Sequence, residues 1–389
     1  MSNFISKHKG IIFICFAIVL CILFFLFLPL ALSNNYKINN NTASVVEVTA
    51  TTSIPIFIPT YVETPEAVKG VYITSWTASS VGLRSGIVKL IDETELNTIV
   101  IDIKDYTGKI IFPVENDELK SYGSVSVRVS DMRDFIESLH KKGIYVIGRV
   151  AVFQDEYFVN YRPDLAVKNK AGTEVWKDRK GISWIDAGSQ EYWDYIILLA
   201  KESRKIGFDE INFDYIRFPS DGDMKNISYP FSSSTPKSKV LRNFFEYLDL
   251  GLEDSGLKTS ADLFGMVTTV KDDMGIGQIL EDAFPYFDYI SPMVYPSHYP
   301  PNFEGFKNPE AHPYQIISIA MKSAVDRAIL ASTSPSKLRP WLQDFGLKMK
   351  YGPDEVKSQI RATNDVGLNS WLLWSASNKY TKSALIPEY

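Results

Sequence analysis

The chain has 389 residues, 45% of them hydrophobic and 22% charged, an ordinary globular composition that excludes a disordered or fibrous chain. A formal net charge of −5 supplies no basic footprint for nucleic acid. Both cysteines, Cys15 and Cys21, fall early, which excludes a disulfide framework or thiolate zinc site from everything after them. The four histidines, His8, His140, His298 and His312, argue against a His-rich metal centre, and no cofactor is expected.

Residues 1–10 are short and carry Lys7 and Lys9, and residues 11–32 (IIFICFAIVLCILFFLFLPLAL) are almost wholly apolar. A membrane span needs roughly 20 such residues. The flanking lysines place the N-terminus in the cytoplasm and the rest outside. Ala31-Leu32-Ser33 would serve as a cleavage site, but the run exceeds the usual signal core of about 7–15 residues, so a transmembrane anchor is the preferred reading over a cleaved signal. Either way the main domain is exported. Residues 33–68, rich in Asn, Thr, Val and Pro, read as a flexible linker.

From residue 69 to 389 strand-like and helical patterns alternate. Strand runs are expected at 70–74 (GVYIT), 98–104 (TIVIDIK), 145–153 (YVIGRVAVF), 210–218 (EINFDYIRF), 259–265 (TSADLFG), 288–296 (DYISPMVYP), 338–345 (LRPWLQDF) and 369–376 (NSWLLWSA). Helical patterns lie at 131–143, 189–207 (opened by a Ser cap), 239–252 and 352–367 (opened by Pro353). Eight strands separated by helices predict an α/β fold, a (β/α)8 TIM barrel, preceded by the transmembrane helix and linker. GVYITSWTASS carries no Gly-rich phosphate fingerprint, which argues against an open dinucleotide-binding sheet.

Barrel chemistry sits at the C-terminal ends of the strands. The polar and aromatic residues expected there are Trp76, Asp102, Lys104, Arg149, Asp214, Tyr215, Arg217, Asp262, Tyr295, Trp341, Asp344 and Trp374. Carboxylates beside aromatic platforms point to sugar, because sugar C–H faces pack on rings while hydroxyls donate to carboxylates. Glycoside hydrolysis needs two carboxyl groups of different proton affinity. Asp214 and Asp262, from neighbouring strands four and five, are the candidate catalytic pair: Asp214 as nucleophile or base, Asp262 as general acid or orienting partner. Trp76, Tyr295, Trp341 and Trp374 are candidate sugar platforms. Arg149, Arg217 and Lys104 would hold charges in register, and Asp102, Tyr215 and Asp344 would contact substrate.

Each has a structural alternative. Asp214 would ion-pair with Arg217 or Lys104, Asp102 would pair with Lys104 on one strand face, and Asp344 would cap the following helix. Glu210, at its strand's start, reads as a surface or bottom-face residue, and His298, in PSHYPP, reads as structural. Asp221-Gly222-Asp223 lacks the full ligand spacing of a calcium loop.

VKGVYITSW, TIVIDIKDYTGKIIF, GIYVIGRVAVFQD, GFDEINFDYIRFPSDG, TSADLFG and DYISPMVYPSHY resemble, in order, the bacterial glycoside-hydrolase-like family first catalogued as a domain of unknown function, DUF4015. The resemblance runs over almost all of 69–389. It implies a TIM barrel acting on a polysaccharide, often exported or membrane-anchored. Its DYIRFP motif falls on Asp214 to Pro219 and its SADxFG motif on Ser260 to Gly265, which implies an essential carboxylate at Asp214. The short ending NKYTKSALIPEY implies an abbreviated last helix. A catalytically silent glycan-binding or scaffold barrel is the alternative. A metal-dependent polysaccharide deacetylase is disfavoured by the lack of a clustered Asp/His set.

Overall fold

The computed structural model describes residues 57–387; the apolar run 11–32 and residues 33–56 of the expected linker lie outside them. No helix among the described residues is long and apolar enough to cross a membrane. Each expected strand run overlaps a strand, with β1 and β5 starting one residue earlier than expected: β1 (Lys69–Ile73), β2 (Thr98–Lys104), β3 (Tyr145–Ala151), β4 (Glu210–Asp214), β5 (Lys258–Phe264), β6 (Tyr289–Met293), β7 (Trp341–Gln343) and β8 (Trp371–Trp374). All neighbours pair in parallel, and β8 returns to β1 to close the barrel. β2 and β3 are buried along their whole length, as strands covered on both faces must be, which is why they read as near-continuous apolar runs.

Around the barrel run α1 (Ser75–Ser79), α2 (Val81–Asp92), α3 (Asp117–Ser121), α4 (Met132–His140), α5 (Glu156–Tyr161), α6 (Gln190–Lys205), α7 (Lys237–Leu252), α8 (Leu280–Ala283), α9 (Pro313–Leu330) and α10 (Pro353–Asp365). The four expected helices are α4, α6, α7 and α10. The core is divided. Outward-facing Ile101, Val146, Ile211 and Phe213 pack with Phe135, Leu199 and Phe244 of the helix layer. A smaller cluster inside the barrel joins Tyr72, Val100, Tyr145, Ile147, Trp341 and Leu372. α10 starts as its sequence predicts, with the Glu355 carboxylate accepting from the Gly352 N–H at 2.8 Å. Ser189 stands at the start of α6, but its Oγ makes no capping bond.

Four local expectations are corrected. Strand four stops at Asp214 instead of running to Phe218, because Tyr215 takes a left-handed φ of 53° that no strand can hold. Asp102 and Lys104 do not share a face, because β2 is irregular between them and the alternation shifts there. Glu210 is at the bottom of the barrel but not on its surface: it is buried, accepting from Tyr145 Oη at 3.0 Å and pairing with Arg339 at 2.8 Å.

The fourth correction concerns residues 57–68, expected to be part of a flexible linker. They form a strap across the N-terminal ends of the strands. Thr60 Oγ1 meets His140 Nδ1 at 2.9 Å, Tyr61 Oη donates to Arg204 O at 2.9 Å, and the Val62 N–H donates to Asp209 at 2.8 Å. The Val68 side chain is fully buried and its N–H donates to Ser370 Oγ at 3.0 Å. Burying a valine is worth about 1.5–3 kcal/mol and each hydrogen bond about 1 kcal/mol. A chain begun at residue 69 is therefore expected to be less stable than one begun at 57 by about 3 kcal/mol or more, read as an earlier urea midpoint. At the other end, β8 is followed by a 3-10 turn at Lys382–Ala384 in place of an α-helix, in line with the short final segment.

Candidate active site

Parallel strands deliver their last inward side chains to one rim, and here these converge on Arg149 of β3. Its guanidinium pairs through one terminal nitrogen with Asp102 of β2 and through the other with Asp214 at the end of β4. Its Nε lies 3.9 Å from Asp262 Oδ2 of β5 and has no hydrogen-bond partner among the described residues. One planar group thus touches Asp214 and approaches Asp262.

The two carboxyls differ in surroundings. Asp214 pairs with Arg149 and accepts from the Tyr215 N–H at 2.6 Å, a bond made by the same left-handed turn that ends the strand. Asp262 is fully buried and accepts from Asn212 Nδ2 at 2.8 Å and Trp341 Nε1 at 2.7 Å, both on one oxygen. Burial, and then the nearby Asp214 charge, push its carboxyl well above the usual carboxylate range, against the opposing pull of Arg149. Asp102, bonded by Tyr72 Oη as well as Arg149, is also raised, chiefly by burial.

Above this floor opens a cavity of about 340 Å³ lined by Arg149, Asp214, Asp262, Tyr215, Arg217, Tyr295 and Trp374 among others. Trp374 lies flat on Tyr72, with ring centres 3.9 Å apart, and edge-on to Trp341 at 5.6 Å. Tyr295 packs edge-on to His298 at 5.3 Å.

The structure separates the expected site residues into groups. Asp214, Asp262, Arg149, Tyr215, Arg217, Tyr295 and Trp374 share the cavity. Asp102 sits behind Arg149, out of the cavity lining. Trp341 is fully buried and positions Asp262, so it offers no ring to a sugar. Lys104 is turned away, fully buried, with Asp155 at 2.8 Å and Tyr192 Oη at 3.1 Å; the shift in β2 sends it outward. Asp344 accepts from the Thr381 N–H at 2.8 Å and Oγ1 at 2.7 Å, which fastens the C-terminal segment and caps no helix. Trp76 is 65% exposed on α1, over Arg128, and does not line the cavity. The partner of Asp214 is Arg149, not Arg217 or Lys104. His298, read as structural, lines the cavity, as do Lys180, Phe264, Met293 and Tyr299, none of them anticipated. Lys180 comes from the long segment between α5 and α6, where nothing in the local pattern marks a site.

A family model described as "Putative glycosyl hydrolase domain", DUF4015, matches residues 70–380. The chain belongs to the DUF4015 family. No curated protein sequence matches it. Among solved structures, the PgaB (BpsB) glycoside hydrolase domain from Bordetella bronchiseptica is similar with a TM-score of 0.56 and 11% identity, over 80% of this chain and 95% of that one. Alpha-L-fucosidase isoenzyme 2 from Paenibacillus thiaminolyticus is similar with a TM-score of 0.55 and 11% identity, over 82% of this chain and 48% of that one. A hypothetical protein from Ruminiclostridium thermocellum is 31% identical over 53% of this chain and 98% of its own, with a TM-score of 0.45. At such low identities the likeness of the first two to this DUF4015 barrel is one of fold.

Proposed function

We propose that the barrel is a glycoside hydrolase in which Asp214 and Asp262 are the working carboxyls. The observation that carries this reading is their joint approach to one guanidinium on the floor of an open cavity, in environments that differ in the way two-carboxylate hydrolysis requires. Asp262, its proton affinity raised by burial, suits a general acid. Asp214, charge-paired and held by the Tyr215 N–H, suits a nucleophile or the base that activates water. Tyr295 and Trp374 supply ring faces to the sugar, while Trp341 and Asn212 position Asp262. Residues 11–32 support export with the domain outside the cytoplasm, where a cell-envelope or extracellular polysaccharide would be the substrate.

The test is a panel of polysaccharides incubated with the purified protein, with release of reducing ends as the readout. Turnover of none of them, together with tight binding of one, favours the second reading of a silent glycan-binding barrel. That reading has its own support: both Asp214 oxygens already have partners in the chain.

The Asp262 environment gives a pH prediction. The Trp341 N–H bond stabilises the ionised form and so lowers the Asp262 proton affinity. Trp341→Phe removes it, so Asp262 holds its proton to higher pH. If Asp262 is the acid, the alkaline limb of the kcat/KM profile moves to higher pH. A limb that stays put, or moves down, removes Asp262 from the acid role.

A further inference from the structure

The cavity lining carries cations that the two-carboxylate chemistry does not use. In all, three cations of the lining, Arg149, Lys180 and Arg217, face two carboxyls, Asp214 and Asp262. Arg149 is taken up by Asp102 and Asp214. Among the described residues neither Arg217 nor Lys180 has a carboxylate at ion-pair distance.

Arg217 is half-buried at the end of the turn that follows β4. One terminal nitrogen donates to Phe218 O at 3.0 Å and Ser220 Oγ at 3.2 Å, and among the described residues the rest of the fork has no hydrogen-bond partner. The guanidinium stands 5.0 Å from the Trp184 ring centre, 5.6 Å from Tyr215 and 6.0 Å from Phe264. This aromatic cradle fixes its plane at the cavity wall. Burial works against its charge, and Asp214, Asp221 and Asp178 offset that only from a distance. A desolvated cation without a paired anion is a costly arrangement that a ligand anion would relieve.

Lys180 reaches the same cavity from a built turn. Asp178 accepts from the Lys180 N–H at 2.9 Å and the Ile182 N–H at 3.0 Å, while its other oxygen accepts from Gln154 and from Trp184 Nε1, both at 3.1 Å. The turn is clamped by the loop after Arg217: Gly222, at φ 105°, lies so close to Trp176 that an added Cβ would come within 2.6 Å of its ring. The two loops therefore hold Lys180 and Arg217 at one cavity, and Trp184, bonded to Asp178, is also the ring beneath Arg217.

We propose that the sugar bound at this wall is acidic, its carboxylate or phosphate gripped by the Arg217 fork and the Lys180 ammonium. The proposal rests on the preceding reading only in taking the ligand to be a glycan. An arginine fork matches the two oxygens of a carboxylate or phosphate, and a lysine adds a mobile point charge.

The test uses the full chain carrying Asp214→Asn, so that binding is read without turnover, and compares variants within that background. Three oligosaccharide sets of matched length are titrated by calorimetry: neutral, uronate-bearing and phosphorylated. One acidic set is expected to bind about tenfold or more tighter than the neutral set. The advantage shrinks as salt is raised, and the set that wins identifies the oxyanion. Lys180→Glu and Arg217→Met each remove most of the preference. Lys180 is exposed on its turn, so that variant carries the test even where the Arg217 variant folds poorly. Equal binding of neutral and acidic sets, binding of none, or a preference unchanged in Lys180→Glu overturns the proposal. Turnover of a neutral glycan with no acidic preference sinks this inference and leaves the hydrolase reading standing. Acidic binding with no turnover by the unsubstituted protein does the reverse.

Discussion

Asp214→Asn is expected to lower kcat on the glycan substrate by about a thousandfold or more, within the range that loss of an essential base or nucleophile produces. The fold should survive. Asparagine has nearly the shape of aspartate, Arg149 keeps Asp102 as a partner, and the Tyr215 N–H still finds a side-chain oxygen. Circular dichroism spectra and urea midpoints should therefore stay close to those of the unsubstituted protein. KM should change less than kcat, because the substituted group acts on the reacting atoms more than on the bound sugar. Full turnover in this variant removes Asp214 from the mechanism. A collapse of the fold would show instead that the Asp214–Arg149 pair is structural.

Arg149→Met is expected to have the largest effect on stability, about 3–5 kcal/mol, because it leaves buried carboxyls without their shared cation. Its sign with pH is specific. Arg149 opposes the rise in Asp102 and Asp262 proton affinity that burial causes. Without it the folded-state values climb further above the unfolded ones. The folded state then binds more protons, so its stability falls as pH rises from the unfolded carboxylate range near 4 toward neutrality. Urea titrations should find the deficit small near pH 4 and greatest around pH 7. A deficit independent of pH would mean that methionine fails by packing alone, and that the acids find other partners.

The barrel was legible because its evidence is local and repeated. Each strand is a short β-branched or aromatic run bounded by turn residues, and closure followed from there being eight of them. Position along the run also placed Asp214 and Asp262 at the rim and Glu210 at the base. What escaped the sequence depends on geometry that no residue announces. The shift in β2 turned Lys104 to Asp155, which could not be read from TIVIDIK, where Asp102 and Lys104 alternate perfectly. The left-handed turn at Tyr215 is carried by a residue that ordinarily avoids it. Trp341 looked like a sugar platform because a strand-end tryptophan can face either way. Its indole instead points at Asp262 and leaves Trp374 as the strand-end tryptophan at the cavity. Lys180 and His298 arrive on loops whose course is set by contacts from other segments, such as Gln154 with Asp178 and Gln343 with the Ser297 N–H. The strap at 57–68 resembled a tether because its partners, His140, Arg204 and Asp209, are distant in sequence.

That strap also keeps clear of the site. It meets the barrel at the N-terminal ends of the strands, whereas the cavity opens at their C-terminal ends. The residues that brace the base are therefore not those that line the mouth, so substitutions in the strap can be read as changes in stability alone, apart from any change in the cavity.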